Sequence, residues 1–157
     1  MPVPQHPAQE QGQMLAENTS AGIYFKGCDC LKSVVRRFII DTDTAGDDTI
    51  SILLALKWPD VKVEAITIVC GNVEFDQQVE NALYTVEQFA SYRVPVYPGA
   101  RRPLLMRPWK YADYVHGKDG MGENYFPRAK QRPEEKHAVK ALIELVNSAP
   151  NEYTIVA

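Results

Sequence analysis

Four aspartates, Asp41, Asp43, Asp47 and Asp48, fall within the eight residues Asp41-Thr42-Asp43-Thr44-Ala45-Gly46-Asp47-Asp48. Carboxylates crowded this closely repel, and one of them must keep its proton unless a cation sits among them. Oxygen donors of this kind select a hard cation, magnesium or calcium. A solvated turn capping a helix accounts for Asp47 or Asp48 taken singly. It does not account for four acids between very apolar segments, so the types and spacing point to a divalent-cation site.

The flanking residues say what must hold this turn. Val34 to Ile40 is a short β-rich run that ends abruptly in the acids. From Asp47 to Lys57 a helix is expected, with Ile50, Ile52, Leu53, Leu54, Ala55 and Leu56 covering most of its surface, hence buried on several sides, and Pro59 stopping it. The acids thus lie at the carboxyl end of a strand and the amino end of a helix. Ligands of open α/β folds bind there, and the helix terminus favours negative charge.

Val61 to Val69 reads as the next strand, alternating and then almost wholly apolar, as in the interior of a parallel sheet. It ends at Cys70-Gly71-Asn72. A long helix follows over about Asp76 to Tyr92, with Val79, Ala82, Leu83, Val86, Phe89 and Ala90 on one stripe, and then a short strand from Val94 to Tyr97. Residues 99 to 133 hold much of the Pro, Gly and Arg with little periodicity, the mark of a functional loop such as a lid. Helix resumes at Pro133-Glu134, with Val139, Leu142, Ile143 and Val146 as its buried face. Tyr153 to Ala157 begins another strand, expected in the core. The order predicts an α/β fold, a mostly parallel sheet with flanking helices. A core strand without its following helix suggests a truncated chain.

Composition narrows the classes. A chain of 157 residues suits one domain with a real core, and 45% hydrophobic with 24% charged residues is ordinary for a soluble globular protein. A net charge of −3 gives no reason to expect a nucleic-acid or anionic-membrane partner. Cys28, Cys30 and Cys70 form neither a disulfide framework nor a zinc set and read as thiols in a reducing, cytoplasmic setting. No apolar run approaches the roughly 20 residues of a membrane span. Residues 1–32, rich in Pro and Gln, read as a flexible extension without a secretory signal, ahead of a domain at 33–157.

Three motifs compete for the acidic turn. An EF-hand loop starting at Asp41 fails at its twelfth position, where Ile52 replaces the bidentate Glu. A phosphatase of the haloacid-dehalogenase type would use Asp41 as nucleophile, Asp43 as acid/base and magnesium, but has Ala45 at its fifth position and no use for Asp47-Asp48. The third pattern, Asp-x-Asp-x-x-x-Asp-Asp after a first strand, resembles the nucleoside hydrolase family in every acidic position. Thr44-Ala45 stands where that family more often has Pro-Gly. The resemblance continues through Gly71-Asn72 and His116-Gly117-Lys118-Asp119-Gly120, covering about residues 36 to 157.

That resemblance implies a Rossmann-like nucleoside hydrolase fold, here in its amino-terminal part, and hydrolysis of the N-glycosidic bond of ribonucleosides with calcium as cofactor. It implies that Asp43 binds calcium and acts as general base, that Asp48 ligates calcium, and that Asp47 holds a ribose hydroxyl. Asn72 would contact the ribose or Asp43, His116 would lie near the base, and Asp41 would orient the turn. The remaining calcium ligands would come from later sequence. A homodimer or homotetramer is expected of the full-length protein. A non-catalytic relic of the fold is the alternative of a different class.

Overall fold

The computed structural model describes residues 35–105 and 109–157. The extension expected over residues 1–32, with Cys28 and Cys30, lies outside the described residues. The element order is β1 (Arg36–Thr42), α1 (Gly46–Lys57), β2 (Val61–Ile68), α2 (Phe75–Phe89), β3 (Val96–Pro98), α3 (Asp113–His116), α4 (Ala138–Ser148) and β4 (Tyr153–Val156). The four strands form one parallel sheet in the order β3-β2-β1-β4.

This order follows from the burial pattern. β1 carries the fully buried Ile39 and the nearly buried Ile40, so it needs cover on both faces and a neighbour on both edges. β2 supplies one edge over its whole length and β4 the other, from Arg37↔Tyr153 to Ile40↔Val156. α1 and α2 pack on each other over the face bearing Ile40, Ile66 and Ile68, joined in the core by Ile52, Val79, Leu83 and Val86. α4 packs against β2 and β3. A register shift between Phe38 and Ile39 leaves Glu64 outside the ladder. The Glu64 carboxylate accepts from Arg37 Nε at 2.8 Å, and Arg37 also donates to Glu152 at 3.1 Å and to the Tyr153 hydroxyl at 2.6 Å. One guanidinium thereby ties β1 to both neighbours.

Several expectations are corrected. α1 is buried along Ile52 and Leu56 only, while Ile50 and Leu54 are 62% and 54% exposed. α4 begins at Ala138, not at Pro133. The Glu134 N–H is taken by the Val96 carbonyl at 2.9 Å, and the His137 ring accepts the Val139 N–H at 3.3 Å as the cap. Its buried residues are Ala138 and Ala141, with Val139 and Ile143 more than half exposed. β4, expected in the core, has Ile155 and Val156 exposed. A groove of about 380 Å3 lined by Phe38, Ile40, Leu54, Trp58, Val61 and Val156 runs along this side of the molecule. Among the described residues no helix is long and apolar enough to cross a membrane.

Candidate active site

β1 is the strand from which the chain leaves first toward β2 and later returns on the opposite edge as β4. Such a switch point opens a crevice at the carboxyl ends of the strands, and the acidic turn sits there. Asp41 is still in β1, and its Oδ1 accepts a short hydrogen bond from Thr67 Oγ1 on β2 at 2.5 Å. That bond fixes the end of the strand before the chain turns.

Asp43 is the first acid beyond β1. Its Oδ2 accepts the backbone N–H of Asn72 at 3.0 Å, and its carbonyl accepts from Gln78 Nε2 at 2.7 Å. A Cβ on Gly71 would stand 1.9 Å from Asp43 Oδ2, so only glycine lets the chain after β2 come this close. Burial, and then the nearby charge of Asp48, push the Asp43 carboxyl above the ordinary aspartate range. Hydrogen bonds to backbone N–H groups, that of Asn72 among them, oppose the shift, and Asp47 adds a smaller repulsion. Of the four acids, Asp48 and Asp47 thus act on Asp43, while Asp41 is taken up by Thr67.

Asp48 lies in the first turn of α1, and its Oδ2 accepts the Ala45 N–H at 3.0 Å. This is the returning half of a capping box, and Ala45 has no side-chain oxygen for the other half. Asp48 thus caps the helix and repels Asp43 at once. Asp47 is exposed, with His116 Nδ1 3.7 Å from its Oδ1. The long loop therefore does reach the turn. It is also anchored by the Ala112 N–H, which donates to the Asn72 carbonyl at 2.6 Å.

The loop from His116 to Tyr125 is built around Asp119. Its Oδ1 accepts the N–H groups of Met121 and Glu123 at 2.9 and 2.8 Å, and its Oδ2 accepts that of Tyr125 at 2.8 Å. Gly117, Gly120 and Gly122 all have positive φ, as do Glu123 and Tyr125, so the carboxylate holds a backbone that would not otherwise keep this path. Burial raises the Asp119 pKa, but the three N–H donors, led by Tyr125, outweigh it and the net shift is downward. Its stabilising effect is whole above the unfolded aspartate value of about 3.9 and fades as pH falls through the lower folded value. Asp119→Asn is expected to cost about 1–3 kcal/mol by facing an amide donor toward one of these part-buried N–H groups. Urea unfolding at pH 7 checks this, and the deficit should shrink below pH 4.

Sequence reasoning named the carboxylates, Asn72 and His116, and missed three supports. Gln78 and Asn81 are buried amides of α2, and Thr44 is fully buried. The signal was legible as Gln78, Asn81 and Thr85 at helical spacing beside the apolar stripe. Gly71 is more than half of a Gly-Asn pair, because its lack of a side chain makes the room that Asp43 occupies. Among the described residues no group of three or more His, Cys, Asp or Glu side chains is gathered as a metal-ligating set. A polar cleft of about 340 Å3 between the start of α2 and the loop after Asp119 is lined by none of the four acids of the turn.

A family model described as inosine-uridine preferring nucleoside hydrolase matches residues 38–157. A probable uridine nucleosidase 2 of Arabidopsis thaliana is 38% identical over 123 residues, covering 78% of this chain and 38% of the relative. A solved plant nucleoside hydrolase superposes with a TM-score of 0.71 at 38% identity, covering 77% of this chain and 38% of that one. A purine-preferring ribonucleoside hydrolase from Gardnerella vaginalis gives a TM-score of 0.72 at 28% identity, covering 76% and 39%. The chain thus spans well under half the length of the relatives it matches. The match takes in the acidic turn, the Gly71-Asn72 pair and the His116 loop, and it leaves the EF-hand and phosphatase readings without support. The chain belongs to the inosine-uridine preferring nucleoside hydrolase family.

Proposed function

We propose that residues 33–157 are the amino-terminal portion of a nucleoside hydrolase domain, preceded by an extension over 1–32, and carry part of a site that hydrolyses the N-glycosidic bond of ribonucleosides. The observation that carries this reading is Asp43. It is held by the Asn72 N–H, approached by a glycine that leaves it room, and pushed toward greater basicity by burial and by Asp48. The names of the relatives agree on the bond that is cleaved and differ on the base. The reading therefore extends to ribonucleosides as a class.

Hydrolysis replaces the bond from the anomeric carbon to nitrogen with one to oxygen. The attacking water gives up a proton, and the departing base takes one up. Charge develops on the sugar as an oxocarbenium ion. Asp43 is assigned as the base that receives the water proton, and its raised pKa suits that task. Asp47, exposed in the first turn of α1, is assigned to a ribose hydroxyl. Asn72 holds Asp43 through its N–H and has its side chain for the sugar. His116 is assigned to the neighbourhood of the base, and Asp41, braced by Thr67, to orienting the turn.

Calcium fits the donors present. They are carboxylate oxygens only, and the repulsion between Asp43 and Asp48 is what a cation relieves. Asp43 and Asp48 are assigned as ligands, each with one oxygen already committed to a backbone N–H. A bound calcium ion would lower the pKa of a water and help orient the sugar hydroxyls. The further ligands are assigned to residues outside this chain.

Ribose release from uridine and inosine, in a polypeptide of family length that contains these residues, tests the reading. Release at ordinary enzyme rates with calcium, abolished by a chelator and restored by added calcium, is the expected result. No release from either nucleoside in the presence of calcium would leave a non-catalytic member of the fold. The 157-residue chain by itself is expected to bind calcium weakly and to release little or no ribose.

A further inference from the structure

Two segments of the candidate site are separated by some seventy residues of sequence, the acidic turn and the loop built on Asp119. One buried side chain touches both. Asn81 on α2 is only 4% exposed, and its Nδ2 donates to the Thr44 carbonyl at 3.2 Å and to the Asp119 carbonyl at 2.9 Å. Both amide protons are thus spent, one on each segment. Gln77 Nε2 donates to Asn81 Oδ1 at 2.9 Å, which sets which end of the amide faces the carbonyls.

The surroundings are shaped for this contact. A Cβ on Gly120 would stand 2.9 Å from Asn81 Nδ2, so the loop can lie on the amide only with glycine there. Thr44 sits between Asp43 and Ala45, whose N–H caps onto Asp48. The other polar links between turn and loop are weaker. Thr49 Oγ1 donates to the Met121 sulfur at 3.4 Å, and His116 lies 3.7 Å from the exposed Asp47. A buried amide with both protons on backbone carbonyls is costly to leave half satisfied, so loss of one segment destabilises the grip on the other.

We propose that Asn81 is a positioning residue that joins the acidic turn to the His116–Tyr125 loop, so that the two segments order and loosen together. The consequence for substrate rests on the proposed function, because a sugar held at the turn then also orders the loop carrying His116. The joint itself is a property of the folded chain.

Backbone hydrogen exchange in the 157-residue chain, without metal or substrate, tests it. The reporters are Ala45 and Asn72 for the turn, and Met121, Glu123 and Tyr125 for the loop. Ile66 and Ala90 serve as controls in the sheet and at the C-cap of α2. Asp119→Asn damages the loop through the side-chain bonds to Met121, Glu123 and Tyr125 and keeps the backbone carbonyl that Asn81 holds. With Asn81 present it is expected to speed exchange about tenfold at the turn as well as in the loop, with the controls unchanged. Asn81→Leu keeps the branching of the side chain, adds some volume and removes both donors. In that background exchange at the turn is already fast, and adding Asp119→Asn is expected to speed the loop alone. Asn81→Ala, a better helix former, replaces the leucine variant if that one does not fold. The proposal is overturned if Asp119→Asn leaves Ala45 and Asn72 unchanged, or if its effect reaches them equally in both backgrounds. Ribose release plays no part in the measurement, so a failed joint and a failed functional reading are told apart.

Discussion

Asp43→Asn, in a polypeptide of family length, is expected to lower the turnover number for ribose release by about 10²–10⁴-fold. The substitution keeps the shape of the side chain and one oxygen for the Asn72 N–H, the bond that holds Asp43 at 3.0 Å. What it removes is the charge. Without it the group can neither take the proton from water nor oppose a cation, while its repulsion with Asp48 and Asp47 disappears. Stability and activity should therefore move in opposite directions. The variant is expected to melt at the same temperature as the parent or higher in calcium-free buffer, and to lose most of the stabilisation that calcium gives the parent. Thermal unfolding with and without calcium, beside steady-state kinetics, checks all three. A loss of activity below tenfold would remove Asp43 from the role of base.

Gly71→Ala should come close behind, although residue 71 brings no functional group. Its Cβ would stand 1.9 Å from Asp43 Oδ2 and 2.7 Å from Asp43 Cβ and Cγ. Neither chain can yield freely, because Asp43 is held by Gln78 through its carbonyl and Asn72 by Ala112 through its own. The carboxylate must swing away, and a displacement of about an ångström at a reacting group costs on the order of a hundredfold in rate. The strain is expected to cost about 1–3 kcal/mol of stability as well. Asp43→Ala removes the clashing Oδ2 and Cγ and leaves the 2.7 Å approach to Cβ. Gly71→Ala should therefore add less destabilisation in that background than in the parent, and urea unfolding of the two single variants and the double variant measures this coupling. Equal costs in both backgrounds would show that Gly71 is needed for something other than room for Asp43.

Much of this arrangement was legible in the chain itself. Strand, acidic turn and helix from Arg36 to Lys57 were readable because β-branched and apolar residues, four acids and a stopping proline agree on one local structure. The acids could be assigned to the end of a strand because an open α/β sheet leaves its ligand crevice there. The misreadings share a physical origin in partners distant along the chain. Ile50 and Leu54 look like core residues until it is known that α2 covers only the Ile52–Leu56 side of α1. Pro133-Glu134 looks like a helix start until the Glu134 N–H is found on the Val96 carbonyl. The four-residue α3 is too short to show periodicity. Gln78 and Asn81 escaped because buried amides carry no apolar signal, and their value lies in carbonyls 35 to 38 residues away in sequence.

The sheet order also has a consequence for the time at which the site can assemble. β1 finds β2 across one helix, but its other edge waits for β4, which begins at Tyr153. The Arg37 guanidinium likewise waits for Glu152 and Tyr153, more than a hundred residues later. In a chain emerging from the ribosome, the acidic turn is therefore carried on a strand with one open edge until β4 has been made. Closing so long a loop is slow relative to forming the local helices. The residues that turn the bearer of the acidic turn from an edge strand into an interior one are thus made more than a hundred residues after it.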